Sequence, residues 1–234
     1  RYLPNQSAVI YDIGGGAGAY AVWLLQLGHS VHLVDPVPLH VEQAKEAMAQ
    51  SAVSDWTATL GDARSLELGD ESADFVLLLG PLYHLTERDD RVAALREAYR
   101  ILRPNGIVFA AAISRFASLL DGMTRGLLDD PTFRSIVEQD LIDGQHRNPT
   151  CDPRYFTTAY FHQPEDLREE VQDAGFVVNE LSGIEGPTWI VPDIANRWND
   201  ESHRQLWMKL IERVENEDSL LGASIHFLAV GVRR

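Results

Sequence analysis

Gly14, Gly16 and Gly18 stand at alternate positions between the apolar run Val9–Ile13 and an amphipathic stretch over residues 17–27. The next apolar run, Ser30–Asp35, ends on a carboxylate. Glycines at such a turn let a ligand lie close against the backbone at a helix N-terminus, and an acidic group at the tip of the second strand accepts hydrogen bonds from a ribose diol. The chemistry is that of a nucleotide-like ligand. Gly14-x-Gly16-x-x-Ala19 also satisfies the dinucleotide fingerprint, so the loop alone leaves a nicotinamide cofactor equally open.

Elements that would hold this loop follow from the periodicity. Residues 9–13, 30–35, 56–60, 73–79 and 107–113 read as strands, and 17–27, 39–50 and 89–102 as helices. The run 73–79 (ADFVLLL) is continuously apolar after Asp74, as in a central parallel strand covered on both faces. Short strand and helix alternation predicts a doubly wound, mostly parallel α/β sheet. After residue 113 the pattern changes. Residues 114–161 hold helix-like pieces at 116–120 and 131–141, no strong strand, and many aromatics, which predicts a lid. A helix over 164–174 and a strand over 176–181 follow, then a second insertion over 183–222 with a helix near 201–214, and a closing strand over 223–232. The expected organisation is one domain, 1–234, with a lid insertion at 114–161 and a second insertion at 183–222.

Composition narrows the partners. A formal charge of −15 on 234 residues, with no basic run, disfavours a nucleic-acid backbone as partner. A single cysteine, Cys151, excludes an intrachain disulfide, and no long uncharged apolar run is present to span a membrane. The cytoplasm is the expected location. The sequence opens on Arg1 with its first strand within ten residues, which raises the expectation of a preceding segment that belongs to the cover of the site. Oligomeric state is left open.

Five features in order, Asp12-Ile13-Gly14-Gly15-Gly16-Ala17-Gly18, Asp35, Gly61-Asp62-Ala63, the strand after Asp74, and Leu102-Arg103-Pro104-Asn105-Gly106, stand at the strand ends between residues 12 and 106. Together they resemble the class I S-adenosylmethionine-dependent methyltransferases of small-molecule type. The resemblance implies a seven-stranded sheet of order 3-2-1-4-5-7-6 with strand seven antiparallel, 176–181 being strand six and 223–232 strand seven. It implies S-adenosylmethionine as cofactor and S-adenosylhomocysteine as product. Gly14, Gly15, Gly16 and Gly18 would carry the methionine part, Asp12 would organise the loop and the cofactor's amino group, and Asp35 with Pro36 would hold the ribose end. Asp62 and the Ala63 backbone would face the adenine amine, and Leu79 and Gly80 the methionine end. A dehydrogenase reading does not account for Gly61-Asp62-Ala63 or the turn at 103–106.

Methyl transfer from a sulfonium needs alignment and exclusion of water more than acid–base help, but a hydroxyl or protonated amine acceptor also needs a base. His84, just beyond the fourth strand, is the candidate catalytic residue, since ligands meet at strand C-terminal ends. Packing beneath the lid is its other reading. Gly80-Pro81-Leu82-Tyr83 is similar to the Asn/Asp-Pro-Pro-Tyr motif of amino-methyltransferases but departs at two positions, and without an amide or carboxylate at 80 that mechanism loses its acceptor. Candidate substrate-binding residues are Tyr83, His84, Tyr155, Tyr160, His162 and Trp189; the aromatics of the insertions could equally form the lid's own core. His146, His203, His226 and Cys151 lack ligand spacing, so no metal site is expected. The sequence therefore predicts methyl transfer to an O or N atom of a small organic acceptor. Its rivals are an NAD(P)-dependent oxidoreductase, a catalytically inactive cofactor-binding or regulatory protein, and, more weakly, a nucleic-acid methyltransferase.

Overall fold

The computed structural model describes residues 1–234, the side chains of Trp189 and Ala195 excepted. The strands β1 (Val9–Ile13), β2 (Ser30–Asp35), β3 (Trp56–Leu60) and β4 (Ala73–Leu78) alternate with α1 (Ala19–Gln26) and α2 (Pro38–Met48), as the periodicity predicts. Then come α3 (Pro81–His84), α4 (Arg88–Ile101) and β5 (Leu102–Ser114). The remainder is α5 (Ala117–Arg125), α6 (Pro131–Asp143), β6 (Gln145–His146), β7 (Ala159–His162), α7 (Pro164–Asp173), β8 (Val177–Gly183), α8 (Ile194–Asn199), α9 (Glu201–Ile211), α10 (Asp218–Leu221) and β9 (His226–Val232).

Strand order is β3-β2-β1-β4-β5, with β9 on β5 and β8 on β9. The first five strands pair in parallel. β9 runs against β5, because Arg233 N–H bonds the Gly106 carbonyl at one end (3.0 Å) while Ser114 N–H bonds that of Ile225 at the other (2.7 Å). This is the expected order, with β8 and β9 in the places of strands six and seven. The count differs from the expected seven. β7 pairs in parallel with the end of β5, at Ile113 with Phe161, and β6 pairs antiparallel with β7. At four and two residues these strands are too short to leave an alternation pattern in the sequence.

The turn expected at 103–106 lies inside β5. Ala73 pairs with Leu102 and Phe75 with Ile107, so Arg103-Pro104-Asn105-Gly106 bulges out between the two pairs. Asn105 takes the positive φ (67°) that Asn tolerates better than most residues. Asp74 anchors the bulge: Arg103 donates to one carboxylate oxygen (2.5 Å), and the other accepts the Val9 N–H (2.8 Å).

The chain divides into two compact units, Arg1–Ala110 with Glu169–Asn179 and Val230–Arg234, and Ala111–Arg168 with Glu180–Ala229. Both expected insertions fall in the second. In the first, α1 and α2 turn Ala21, Leu24, Leu25, Val41, Ala44 and Met48 onto Ile10, Leu33 and Phe75 of the strands. Each large apolar side chain buried there contributes about 1.5–3 kcal/mol. In the second, Phe133, Ile136 and Val137 of α6 pack with Tyr155. Among the described residues no helix is long and apolar enough to cross a membrane.

Candidate active site

The C-terminal ends of β1, β2 and β4 converge in the first unit on a cavity of about 600 Å³. Its walls include Gly14, Gly16, Asp35, Pro36, Asp62, Ala63, Gly80, Tyr83 and His84, residues that the sequence placed at one site from four separate stretches. Gly14 has φ +71°, and a Cβ there would lie 2.5 Å from the Pro81 ring. Only glycine fits both conditions at low cost. Gly15 faces inward: a Cβ would lie 2.6 Å from Asp12 Oδ2 and 2.7 Å from Leu33. Gly18, in the left-handed conformation, caps α1, and Leu79 packs against the apolar core. Asp12, Gly15, Gly18 and Leu79 therefore support the pocket from outside its lining.

Asp35 is held at the tip of β2 by the backbone. Gly16 N–H donates to Oδ2 (2.9 Å), Val37 N–H donates to Oδ1 (2.9 Å), and His40 Nδ1 lies 3.0 Å from Oδ1, a contact that needs the ring proton on Nδ1. Two backbone donors on a nearly buried carboxylate fix its rotamer and leave acceptor capacity on Oδ2. Asp12 is different. It is 2% exposed, and its Oδ2 has no hydrogen-bond partner among the described residues. Burial first, and then the charge on Asp35, push its pKa up to about 7, against a weaker opposing pull from the Ala21 backbone.

At the other wall Asp62 is clamped by Arg64. Arg64 donates from Nε to Oδ1 (3.0 Å), from Nη2 to Oδ2 (2.6 Å) and from its own backbone N–H to Oδ1 (2.9 Å), while Nη1 reaches Asp90 of α4 (2.9 Å). The Arg64 hydrogen bonds hold the Asp62 carboxyl below its ordinary pKa.

Tyr83 and His84 sit on α3, whose start at Gly80-Pro81 uses proline at the first helical position. Their rings are 4.7 Å apart. His84 keeps an exposed edge, yet the protein massed around the ring holds its pKa below the usual histidine value, against a smaller opposing pull from the Asp35 charge. The segment after His84 is pinned from below. Arg91 of α4, 2% exposed, donates to the carbonyls of Leu85 (2.9 Å) and Thr86 (2.8 Å), and its Nη2 and Nε both donate to Glu170 Oε1 (2.7 and 2.9 Å), with Nε shared to Oε2 (3.1 Å). Its place in a charged helix gave it the pattern of a solvated face, and only tertiary structure shows it as a buried strut.

The remaining candidates belong to the second unit. Tyr155 is buried against Phe133 at 5.2 Å, and its hydroxyl donates to Asp130 (2.5 Å). The Tyr160 hydroxyl donates to Asp166 (3.2 Å) and accepts from Arg115 (3.2 Å), and its ring meets that of buried His162 edge-on at 4.6 Å. The side chain of Trp189 lies outside the described residues. Residues the sequence did not single out but the pocket includes are His40, Arg64, Val34, Val37 and Leu85. Two of these had a signal, since Arg64 follows Asp62 at the spacing of an Asx turn and His40 falls on the first turn after Pro38. Among the described residues no group of three or more His, Cys, Asp or Glu is arranged to hold a metal ion.

These residues fit S-adenosylmethionine. A buried carboxylate oxygen without a donor lies behind the glycine loop, Asp35 has acceptor capacity left on the pocket wall, and Gly16 faces open space that a Cβ would fill. The methyltransferase-domain family matches residues 11–110. A ubiquinone biosynthesis O-methyltransferase of Methylobacterium sp. (strain 4-46) is 27% identical over 200 residues, which are 84% of this chain and 68% of the relative. An uncharacterised methyltransferase of Mycobacterium bovis is 33% identical over 167 residues, 70% of this chain and 59% of the relative. Among solved structures, an S-adenosylmethionine-dependent methyltransferase of Methanosarcina mazei superposes with a TM-score of 0.64 at 18% identity, covering 99% of this chain and 94% of its own. One of Mesorhizobium loti superposes with the same score at 15% identity and the same coverage. At those identities the likeness shows the fold. With the sequence matches and the ordered site residues it sets aside the nicotinamide alternative, and the chain belongs to the class I S-adenosylmethionine-dependent methyltransferases.

Proposed function

We propose that the chain methylates an oxygen or nitrogen atom of a small organic acceptor in the cytoplasm, with His84 as the general base. The observation that carries this reading is the placement of His84 on the wall of the cavity that Asp35 and Asp62 also line, where burial holds its pKa below the usual histidine value. When bound, S-adenosylmethionine supplies a methyl group already activated on sulfur. Asp35 and the glycine loop hold and orient it, Asp12 organises that loop from behind towards its amino group, and Asp62 meets its base. His84, neutral near pH 7, takes the proton that an attacking hydroxyl or ammonium must lose. Tyr83 is the neighbouring wall.

A small acceptor is supported by the charge of −15, which repels a polyphosphate backbone, and by the relatives named for ubiquinone biosynthesis. The O-methyltransferase names favour oxygen. Incubation with S-adenosylmethionine and a panel of phenols, aliphatic alcohols and amines, read by release of S-adenosylhomocysteine, tests the proposal. Turnover with a phenol or amine is expected. Cofactor binding without turnover on any member would establish an inactive binding protein, and transfer to RNA or DNA alone would overturn the small-acceptor reading.

A further inference from the structure

Asp62 is the one carboxylate of the cavity held by a side-chain fork. Its Arg64 partner approaches along both oxygens, and that guanidinium is itself fixed from a second side by Asp90. The turn beneath is closed as well, since Ser65 N–H bonds the Asp62 carbonyl (3.1 Å). Both Asp62 and Arg64 line the cavity, and they are partly exposed, at 46% and 42% of their side-chain surface. A carboxylate so exposed and without a fork would sample several rotamers and lose entropy on meeting a ligand. The fork removes that loss beforehand.

Counting acceptor sites gives the consequence. Oδ1 takes the Arg64 backbone N–H and Nε, while Oδ2 takes Nη2 at 2.6 Å and only the long half of a shared bond from Nε at 3.2 Å. Oδ2 therefore has room for one more donor and none for an acceptor. We propose that Arg64 is a positioning residue that locks Asp62 as a fixed, charged acceptor, so that the pocket selects a purine carrying an exocyclic amine over one carrying a carbonyl. The inference rests on the methyl-donor reading and extends it to a residue two places beyond the acidic one. Asp90, on α4, is the outer anchor of the same lock.

Isothermal calorimetry with S-adenosylhomocysteine and S-inosylhomocysteine, in which a carbonyl replaces the amine, tests it. The native chain is expected to prefer the adenine compound by tenfold or more, as for a hydrogen bond to a charged group. Arg64→Ala is expected to weaken S-adenosylhomocysteine about tenfold and to leave S-inosylhomocysteine within about twofold, so that the preference collapses. Arg64→Lys, which keeps the charge but not the fork, should restore less than half of the lost preference on a logarithmic scale. Asp90→Asn should fall between native and Arg64→Ala. A merely structural Arg64 would weaken both compounds alike, and an Arg64→Ala variant that discriminates as well as native overturns the inference alone. A native chain that binds neither compound overturns the methyl-donor reading, and the inference with it.

Discussion

Two histidines, one in each unit, show opposite uses of a polar group. His84 stands on the wall of the cavity with an edge in solvent, in a neighbourhood that keeps it neutral. His146 is 1% exposed and closed on its surroundings: Nδ1 lies 2.8 Å from Asp140, and Nε2 donates to the Tyr155 carbonyl at 2.6 Å. Ser118 donates to the same Asp140 oxygen at 2.6 Å. A carbonyl only accepts, so Nε2 carries a proton, and the ring is fixed by both of its nitrogens. Although serine, aspartate and histidine meet here, Ser118 and His146 both turn to the one Asp140 oxygen and their direct contact is long (3.5 Å), which is the wrong arrangement for a nucleophile activated by histidine. The cluster is a brace that joins α5, α6, β6 and the loop to β7. His84 keeps an edge open towards a ligand, whereas His146 uses both ring nitrogens within its own unit.

The comparison breaks most sharply at the brace. Replacing His146 with Ala leaves Asp140 buried beside an empty space, and unfolding in urea should show a loss of about 3–5 kcal/mol, the range for a buried pair with one partner removed. His84→Gln should leave urea stability within about 0.5 kcal/mol, the range for surface changes, while lowering kcat about a hundredfold with KM little changed. It should also remove the acid limb of the kcat/KM profile, which in the native enzyme lies below the ordinary histidine pKa. A stable His146 variant or a fully active His84 variant would erase the distinction.

Asp35→Ala should weaken S-adenosylhomocysteine binding by about 1.5–3 kcal/mol in calorimetry, through loss of a charge-assisted hydrogen bond. An unchanged affinity would move the ribose away from β2. The last effect is on pH. Asp12 folds with a pKa of about 7, above the ordinary 3.8, so between those values the folded chain keeps a proton that the unfolded chain has lost. The carboxyl therefore adds stability at low pH, and that stability is lost as pH rises through about 7. Melting temperatures of Asp12→Asn and native protein should diverge between pH 5 and 8, the variant gaining relative to native. If they run parallel, Asp12 is ionised in the folded chain.

Most of the first unit was legible because its determinants are local. A glycine forced into positive φ, an apolar run, and a carboxylate at a strand tip each state their own geometry, and they brought Gly14, Gly16, Asp35, Asp62, Gly80 and His84 to one cavity. What escaped depends on partners far along the chain. Arg91 looks like any charge on a helix until Glu170 meets it, and the brace draws Ser118, Asp140, His146 and Tyr155 from separate turns. Tyr155 has the composition of a pocket wall and the placement of a core residue, and sequence distinguishes those two poorly because both are apolar surroundings with one polar tip. β7 escaped for want of length.

The division of the chain bears on the order of folding. The first unit is assembled from Arg1–Ala110, Glu169–Asn179 and Val230–Arg234, and Arg233 bonds back to Gly106 across the bulge in β5. Those contacts have large sequence separation, and loop-closure entropy makes them late and slow to form. During synthesis β1 to β4 emerge early, but β5 lacks its antiparallel partner until residues 226–232 have been made. An edge so long unpaired invites pairing with other chains. Asn105 and Gly106, at the start of that edge, find their partner only when Arg233 arrives: Asn105 N–H bonds the Arg233 carbonyl (2.7 Å) and Arg233 N–H bonds that of Gly106 (3.0 Å). The pairing that closes the finished sheet is thus the last to become available to the nascent one.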